Sequence, residues 1–271
     1  MMLVNGAPVE SIPASDRGLA YGDGVFRTLR AVNGSPLHWH RHYAKLKQDC
    51  ASLGILCPQE TLLLAEARAV SRDLTQAVVK IIVTRGSGRR GYAVPDLPMP
   101  LRVVTSSPQQ VSLNCRLGIR IHLCRLRVAY QPALAGIKHL NRLENVLARA
   151  EWNEADIHEG LLLDHDGDAI GGTMSNLFIV ENGTLLTPDL SRCGVAGVTR
   201  SRVIELAEKA GIVCHIEKLP LQRVLDADEL FLVNSLIGLW PVVNMGSRQW
   251  RVGPLSSALL GSLEAEDAAP D

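Results

Sequence analysis

Aromatic side chains make up only 4% of this 271-residue chain, so any core must be filled mainly by Leu, Val, Ile and Ala. Net charge is missing too. Basic and acidic side chains stand at 28 each. No global field therefore draws the chain to nucleic acid or an anionic membrane, and any anion must be met by local arginines. Long apolar runs are absent. The most hydrophobic stretch, residues 230–243, is broken by Asn234, Ser235 and Gly238, short of the ~18 apolar residues a membrane-spanning helix needs. No basic segment followed by an apolar one opens the sequence, which excludes a secretory leader as the reading of its start. The six cysteines are scattered, with no Cys-x-x-Cys, as small core hydrophobes of a reducing compartment are. His38, His40 and His42 alternate without an acidic or cysteine neighbour, so no metal site is expected. What remains is a cytoplasmic globular protein with 46% apolar residues, long enough for two modest domains.

The first half predicts a hairpin around Asn5-Gly6, pairing residues 3–5 with 8–12. A glycine-punctuated loop from Gly18 then runs into a strand that carries Thr28 and Arg30. Helical spacing marks residues 40–53, closed by Gly54, and a second helix from Pro58 to about Leu74. The β-branched run 77–84 reads as a buried strand. It feeds a basic loop, 85–92, expected to be mobile. A strand over 101–105 and a linker from Ser106 follow. In the second half, strands are expected over 117–123, 160–164, 176–181 and 212–218, with Asn182-Gly183 as a hairpin turn. A helix within 195–211 places Val203, Ile204, Ala207 and Ala210 on one face, and 230–243 supplies a final strand pair. The acidic tail, 264–271, reads as disordered. The fold class is α/β to α+β in two domains, 1–106 and 117–271, joined by a linker over 107–116.

Four stretches carry chemistry. Lys138 lies among Gly136, Ile137 and Leu140, ahead of Asn141-x-x-Glu144, which reads as a capping box opening a helix with Leu143, Val146 and Leu147. Apolar neighbours lower an amine's pKa and make it nucleophilic, as in Schiff-base lysines. Residues 194–200, Gly-Val-Ala-Gly-Val-Thr-Arg, bring glycine-freed backbone to a helix start, where the amides of Val198 and Thr199 and a hydroxyl can bind phosphate. Asn234-Ser235 interrupts an apolar strand and either pairs internally or faces a polar ligand. Arg85, Arg89 and Arg90, with Tyr92, could grip carboxylates. An amine, a phosphate nest, a strand hydroxyl and a basic loop are the parts that pyridoxal 5'-phosphate requires.

These motifs resemble the fold-type IV pyridoxal-phosphate enzymes, the family of branched-chain and D-amino-acid aminotransferases. The likeness runs from Leu3 to about Val243. It rests on Ser15-Asp16-Arg17-Gly18, Tyr21-Gly22-Asp23-Gly24-Val25-Phe26, the 85–92 loop, residues 134–142 around Lys138, Ser175-Asn176-Leu177-Phe178, Gly197-Val198-Thr199-Arg200 and Asn234-Ser235-Leu236. His139-Leu140-Asn141-Arg142 and the Arg-Gly-Ser-Gly loop point to the lyases of that family over its aminotransferases.

The resemblance implies a homodimer with its site between two domains. It makes Lys138 the Schiff-base lysine and base, and Val198, Thr199 and Ser235 the phosphate ligands. Lys45 would hold the phosphate where the family has an arginine. Arg30, Arg89, Arg90 and Tyr92 would meet the substrate, with Thr28 as a possible proton donor. The implied reaction splits 4-amino-4-deoxychorismate into 4-aminobenzoate and pyruvate, in folate synthesis. Alternatives are an aminotransferase of the same fold or a cofactor-binding protein without turnover. One departure is marked. The family's glutamate for the pyridine nitrogen falls on Gly171 here, with Glu159, Asp164, Asp166 or Asp168 as possible substitutes.

Overall fold

The computed structural model describes residues 1–9, 11–109 and 115–268. The chain divides into two compact units, Met1–Val111 with Ile137–Asn141, and Ser112–Gly136 with Arg142–Pro270.

The first unit contains β1 (Met2–Val4), α1 (Arg17–Tyr21), β2 (Gly24–Val32), β3 (Ser35–Pro36), α2 (Trp39–Ser52), α3 (Glu60–Ser71), β4 (Gln76–Thr84) and β5 (Leu101–Pro108). The antiparallel sheet runs β1-β5-β4-β2-β3. Side chains alternate across a strand, and β2 uses this fully. Val25, Arg27, Leu29 and Ala31 are buried, with Leu29 packed in a cluster that includes Leu46, Cys50, Leu63 and Val70 of α2 and α3. Phe26, Thr28 and Arg30 take the opposite face.

Residues 137–141, expected within the second domain, join this sheet instead. His139 bridges Val25, the Phe26 amide donates to the Lys138 carbonyl at 3.0 Å, and the Leu140 amide donates to Gly24 O at 3.0 Å. β3 covers only Ala31 and Val32 of that edge of β2. The start of the edge would otherwise expose unpaired amides, and the lysine segment satisfies them.

Three expectations fail here. Residues 8–12 form no strand among the described residues, because β1 pairs with β5 (Met2↔Thr105 to Val4↔Val103). The expected linker start at 106–108 is strand, paired with the beginning of β4. The 85–92 loop is anchored rather than mobile. Arg85 is buried, bonds Asp23 Oδ2 at 2.8 Å and caps the carbonyls of Leu53 and Gly54, while Arg17 donates to the carbonyls of Gly91, Tyr92 and Ala93. Burial would raise the Asp23 carboxyl, but bonds from Arg85 and Arg17 outweigh it and hold the group below its usual value.

The second unit has β6 (Ile119–Val128), α4 (Leu143–Arg149), β7 (Ile157–Asp164), β8 (Ala169–Gly172), β9 (Asn176–Glu181), β10 (Thr184–Pro188), α5 (Val198–Lys209), β11 (Cys214–Glu217), α6 (Leu221–Asp226), β12 (Glu229–Asn234), β13 (Gly238–Met245), β14 (Arg248–Gln249) and α7 (Pro254–Ala268). Its mixed sheet runs β11-β10-β9-β12-β13-β6-β7-β8. Between their polar end residues β9 and β12 are continuously apolar because both faces are covered. Leu177, Ile179, Leu230 and Leu232 enter one core, and Phe178, Val180, Phe231 and Val233 enter another with residues of α5 and α7.

The tail is a correction. Residues 264–268 end α7, whose Leu259 and Leu263 are buried, and Arg202 of α5 pairs with Glu266 and Asp267. Its last residues, 269–271, lie outside the described set, as do 110–114 of the expected linker. The capping box fails as well. Glu144 Oε1 accepts from the Ala129 amide, α4 has no side-chain cap, and Leu143, Val146 and Leu147 are exposed.

Candidate active site

Lys138 is half-buried beside β2, and its Nζ lies 4.6 Å from the centroid of the Phe26 ring. A ring face attracts an ammonium but offers no lone pair to hold it in a hydrogen bond. By strand alternation, Thr28 and Arg30 point to the same side of β2 as Phe26. The structure thus groups three expected residues: Lys138, Thr28 and Arg30. It adds a fourth that the sequence reading missed. Lys80 is the cross-strand partner of Thr28, and its Nζ sits 5.2 Å from the same Phe26 ring. Its signal was present: a lysine inside the apolar run of β4 is conspicuous, and the β2–β4 register decides which face it takes.

Arg89, Arg90 and Tyr92 are exposed on the anchored loop. Lys45 lies on α2, with its ammonium 2.5 Å from Asp49 Oδ1. Burial, followed by the Arg27 guanidinium, pulls its pKa down to about 8.

In the second unit, Gly197 precedes α5 in extended conformation and, among the described residues, no side chain caps the helix. The first-turn amides of an α-helix have no intrahelical acceptor, and they carry its positive dipole end. Thr199 Oγ1 is 3.3 Å from Ser235 Oγ beside them. Asn176 shapes the approach, donating to Val195 O at 2.7 Å and accepting from the Gly197 amide at 3.1 Å. A Cβ on Gly197 would lie 2.3 Å from Asn176 Oδ1, so only glycine fits. Gly136, two residues ahead of Lys138, bridges Val195. Asn234 is structural: its side chain accepts from the amides of Leu236 and Ile237 and donates to Met174 O. Arg200 turns away, donating to Thr187 and to Pro188 O.

The carboxylates that could replace a residue-171 glutamate are all engaged. Glu159, 0% exposed, accepts from the amides of Gly160, Thr173 and Met174 and from the hydroxyls of Thr173 and Ser175. Asp164 accepts from the amides of Asp166 and Asp168, Asp166 pairs with Arg192, and Asp168 lies 3.7 Å from Lys218. Gly171 has φ +156°, and a Cβ there would lie 2.8 Å from Ser175 O. Gly171→Glu is therefore expected to cost about 1–3 kcal/mol of stability, read as a lower thermal midpoint. An unchanged midpoint would contradict this account of the Gly171 backbone.

Whole-chain comparison agrees with the motifs. The profile described as amino-transferase class IV matches residues 24–245. The chain belongs to the class IV amino-transferase family. The crystal structure of 4-amino-4-deoxychorismate lyase from Pseudomonas aeruginosa is similar at a TM-score of 0.94 and 44% identity, covering 98% of each chain. Aminodeoxychorismate lyase of Vibrio harveyi is 34% identical over 97% of this chain and 99% of that one. A putative branched-chain-amino-acid aminotransferase of Methanocaldococcus jannaschii is also 34% identical, over 86% and 82%. The fold-type IV resemblance is borne out. Each unit carries groups that suit the family's cofactor, pyridoxal phosphate: the second a helix start with two hydroxyls for a dianion, the first an amine over an aromatic face for an aldehyde. Among the described residues no helix is long and apolar enough to cross a membrane.

Proposed function

We propose that this protein is a pyridoxal-phosphate-dependent lyase that converts 4-amino-4-deoxychorismate to 4-aminobenzoate and pyruvate in folate synthesis. The observation that carries the reading is the 44% identity to a 4-amino-4-deoxychorismate lyase over 98% of both chains. The amine, hydroxyl and guanidinium on one side of β2 support it. Bound pyridoxal phosphate would supply an aldehyde for the substrate amine and a conjugated ring that draws electrons from the adjoining carbon.

The protein's own groups do the rest. Lys138 holds the cofactor, and its released amine removes the proton from the amine-bearing ring carbon. Lys138 or the Thr28 hydroxyl returns a proton to the departing enolpyruvate. Arg30, Lys80, Arg89 and Arg90, with Tyr92, are the candidates to receive the substrate's carboxylates. Val198, Thr199 and Ser235 hold the phosphate, with Lys45 adding charge. Gly171 favours the lyase over a transaminase, because forming an aromatic product supplies driving force that electron withdrawal by a protonated ring nitrogen need not.

On the same reading the protein is a cytoplasmic homodimer. The exposed Leu143, Val146 and Leu147 of α4 support association, since contiguous apolar surface is unfavourable in water. Supplying 4-amino-4-deoxychorismate and measuring 4-aminobenzoate and pyruvate tests the activity. Equal yields without any added 2-oxo acid are expected; a requirement for a 2-oxo acid would establish the aminotransferase instead.

Lys45 gives the cofactor affinity a pH signature. Its ammonium is charged below about 8 and loses its proton as pH rises through that value. Affinity for pyridoxal phosphate should therefore fall above pH 8, by up to about fivefold for one partly buried charge already paired with Asp49. Lys45→Arg, which stays charged, should remove the fall. Equal pH dependence in the two proteins would take Lys45 off the phosphate.

A further inference from the structure

Asp49 is a carboxylate on α2 with 0% exposure. Taking such a charge out of water is expensive unless partners surround it, and here they come from three parts of the first unit. Arg27, buried on the α2-facing side of β2, donates from Nη2 to Oδ2. Lys45, one turn earlier on α2, donates to Oδ1 at 2.5 Å. The third partner is a backbone group 89 residues away: the amide of Lys138 donates to Oδ2 at 3.1 Å. The Lys138 carbonyl already accepts from the Phe26 amide at 3.0 Å. Both main-chain polar groups of the lysine are therefore tied down, one to β2 and one to Asp49.

Two cations are more than one carboxylate needs, and the amide would find an acceptor in water if the turn were merely exposed. What the arrangement adds is a fixed Cα–Cβ direction for Lys138. Sequence could not show it, because Asp49 reads as one more polar residue on an amphipathic helix.

We propose that Asp49 is a positioning residue for Lys138: its bond to the Lys138 amide, braced by Arg27 and Lys45, aims the amine over the Phe26 side of β2. The proposal rests on the reading of Lys138 as the cofactor lysine. A lysine free to swing would lose the orientation on which attack on a bound aldehyde depends, and misplacement by about 1 Å can cost on the order of 10²-fold in rate.

Removing Asp49 alone would take a carboxylate from the buried Arg27 guanidinium and could unfold the protein. The test therefore neutralises the pair in two ways. Arg27→Met/Asp49→Asn keeps an oxygen acceptor for the Lys138 amide, and Arg27→Met/Asp49→Leu removes it. Both lack the same charges, so their difference reports the oxygen acceptor offered to the Lys138 amide and to Lys45, and only the amide bond bears on how fast Lys138 loads. Each, with wild type and Lys138→Ala, is mixed with pyridoxal phosphate. Covalent loading is trapped with borohydride over time and located by peptide mass, and kcat and KM are measured with 4-amino-4-deoxychorismate.

The Leu variant is expected to load Lys138 about tenfold more slowly than the Asn variant and to show a comparable loss in kcat at similar KM. The Asn variant should stay within about threefold of wild type, the small loss left when one oxygen acceptor replaces another. Equal loading rates in the two variants, whatever their melting temperatures, would reduce Asp49 to a structural role. So would a Leu variant that fails to fold while the Asn variant folds but loads Lys138 as slowly as an unpositioned lysine. If wild type is not trapped at Lys138 at all, the reading of the lysine fails first, and the positioning role falls with it.

Discussion

A folded, colourless protein without lyase activity is the expected product of replacing Lys138 with alanine. Folding should survive because the main chain of residue 138, which alanine keeps, makes the bonds to β2 and to Asp49. The contact of the side chain with the Phe26 ring is worth about 0.5–1 kcal/mol at a half-exposed position. Chemistry should not survive. The amine is at once the attachment point for the cofactor and the base for the ring carbon. A single positioned base accounts for about 10²–10⁴-fold in rate, and losing the attachment adds to that. A fall in kcat of at least about 10³-fold is expected, with the melting temperature and far-ultraviolet dichroism near those of wild type. Retained yellow colour would move the attachment elsewhere, and turnover within tenfold of wild type would remove the base. Thr28→Val should fall between the two, because Lys138 can itself return the proton that Thr28 would give.

Lys138 is prominent in the sequence alone, and so are most of the strands. β4, β9 and β12 are apolar along runs too short for a helix and punctuated at both ends, so period and length agree. The lysine's surroundings were legible only in part. Ile137 and Leu140 suggested an apolar seat, but whether the segment belonged to the following helix or to a distant strand depends on long-range pairing. Val25 and His139 are 114 positions apart, and no local pattern reports such a bridge.

The failed capping box has the same cause. Asn141 and Glu144 have the right spacing, yet Asn141 donates to Gly22 O and Glu144 serves the Ala129 amide. Tertiary partners outbid the local cap. The C-terminal helix was missed because composition spoke for solvation, and its acidic end is held by Arg202, a residue some sixty positions upstream. In sequence Arg85 is one of several loop arginines, since a guanidinium that caps the end of α2 looks there like one awaiting a ligand. Gly171 stands out in the sequence, but its backbone dihedral and the Ser175 carbonyl, which oppose a side chain there, are set by the fold.

Removing both hydroxyls beside the α5 N-terminus should weaken cofactor binding more than any other change in the second unit. Thr199 is 2% exposed, and its Oγ1 and Ser235 Oγ stand 3.3 Å apart. Without a ligand each hydroxyl can bond the other. With a phosphate dianion each would donate to it, and hydrogen bonds to a charged group contribute about 1.5–3 kcal/mol, or roughly ten- to a hundredfold in affinity. Thr199→Val and Ser235→Ala should each raise the dissociation constant of pyridoxal phosphate by about that factor. Neighbouring changes need not add, so the double variant should lose less than the product of the two. The backbone amides at the start of α5 would remain, held in place by Asn176 through Val195 and Gly197. Residual binding should therefore persist in the double variant. Gly197→Ala attacks that remainder, since its Cβ would push Asn176 Oδ1 from 2.3 Å. Equilibrium titration of apoprotein, followed by absorbance, measures all four. If the hydroxyl variants bind as tightly as wild type while Gly197→Ala does not, the amides alone form the anion site and the two hydroxyls serve each other.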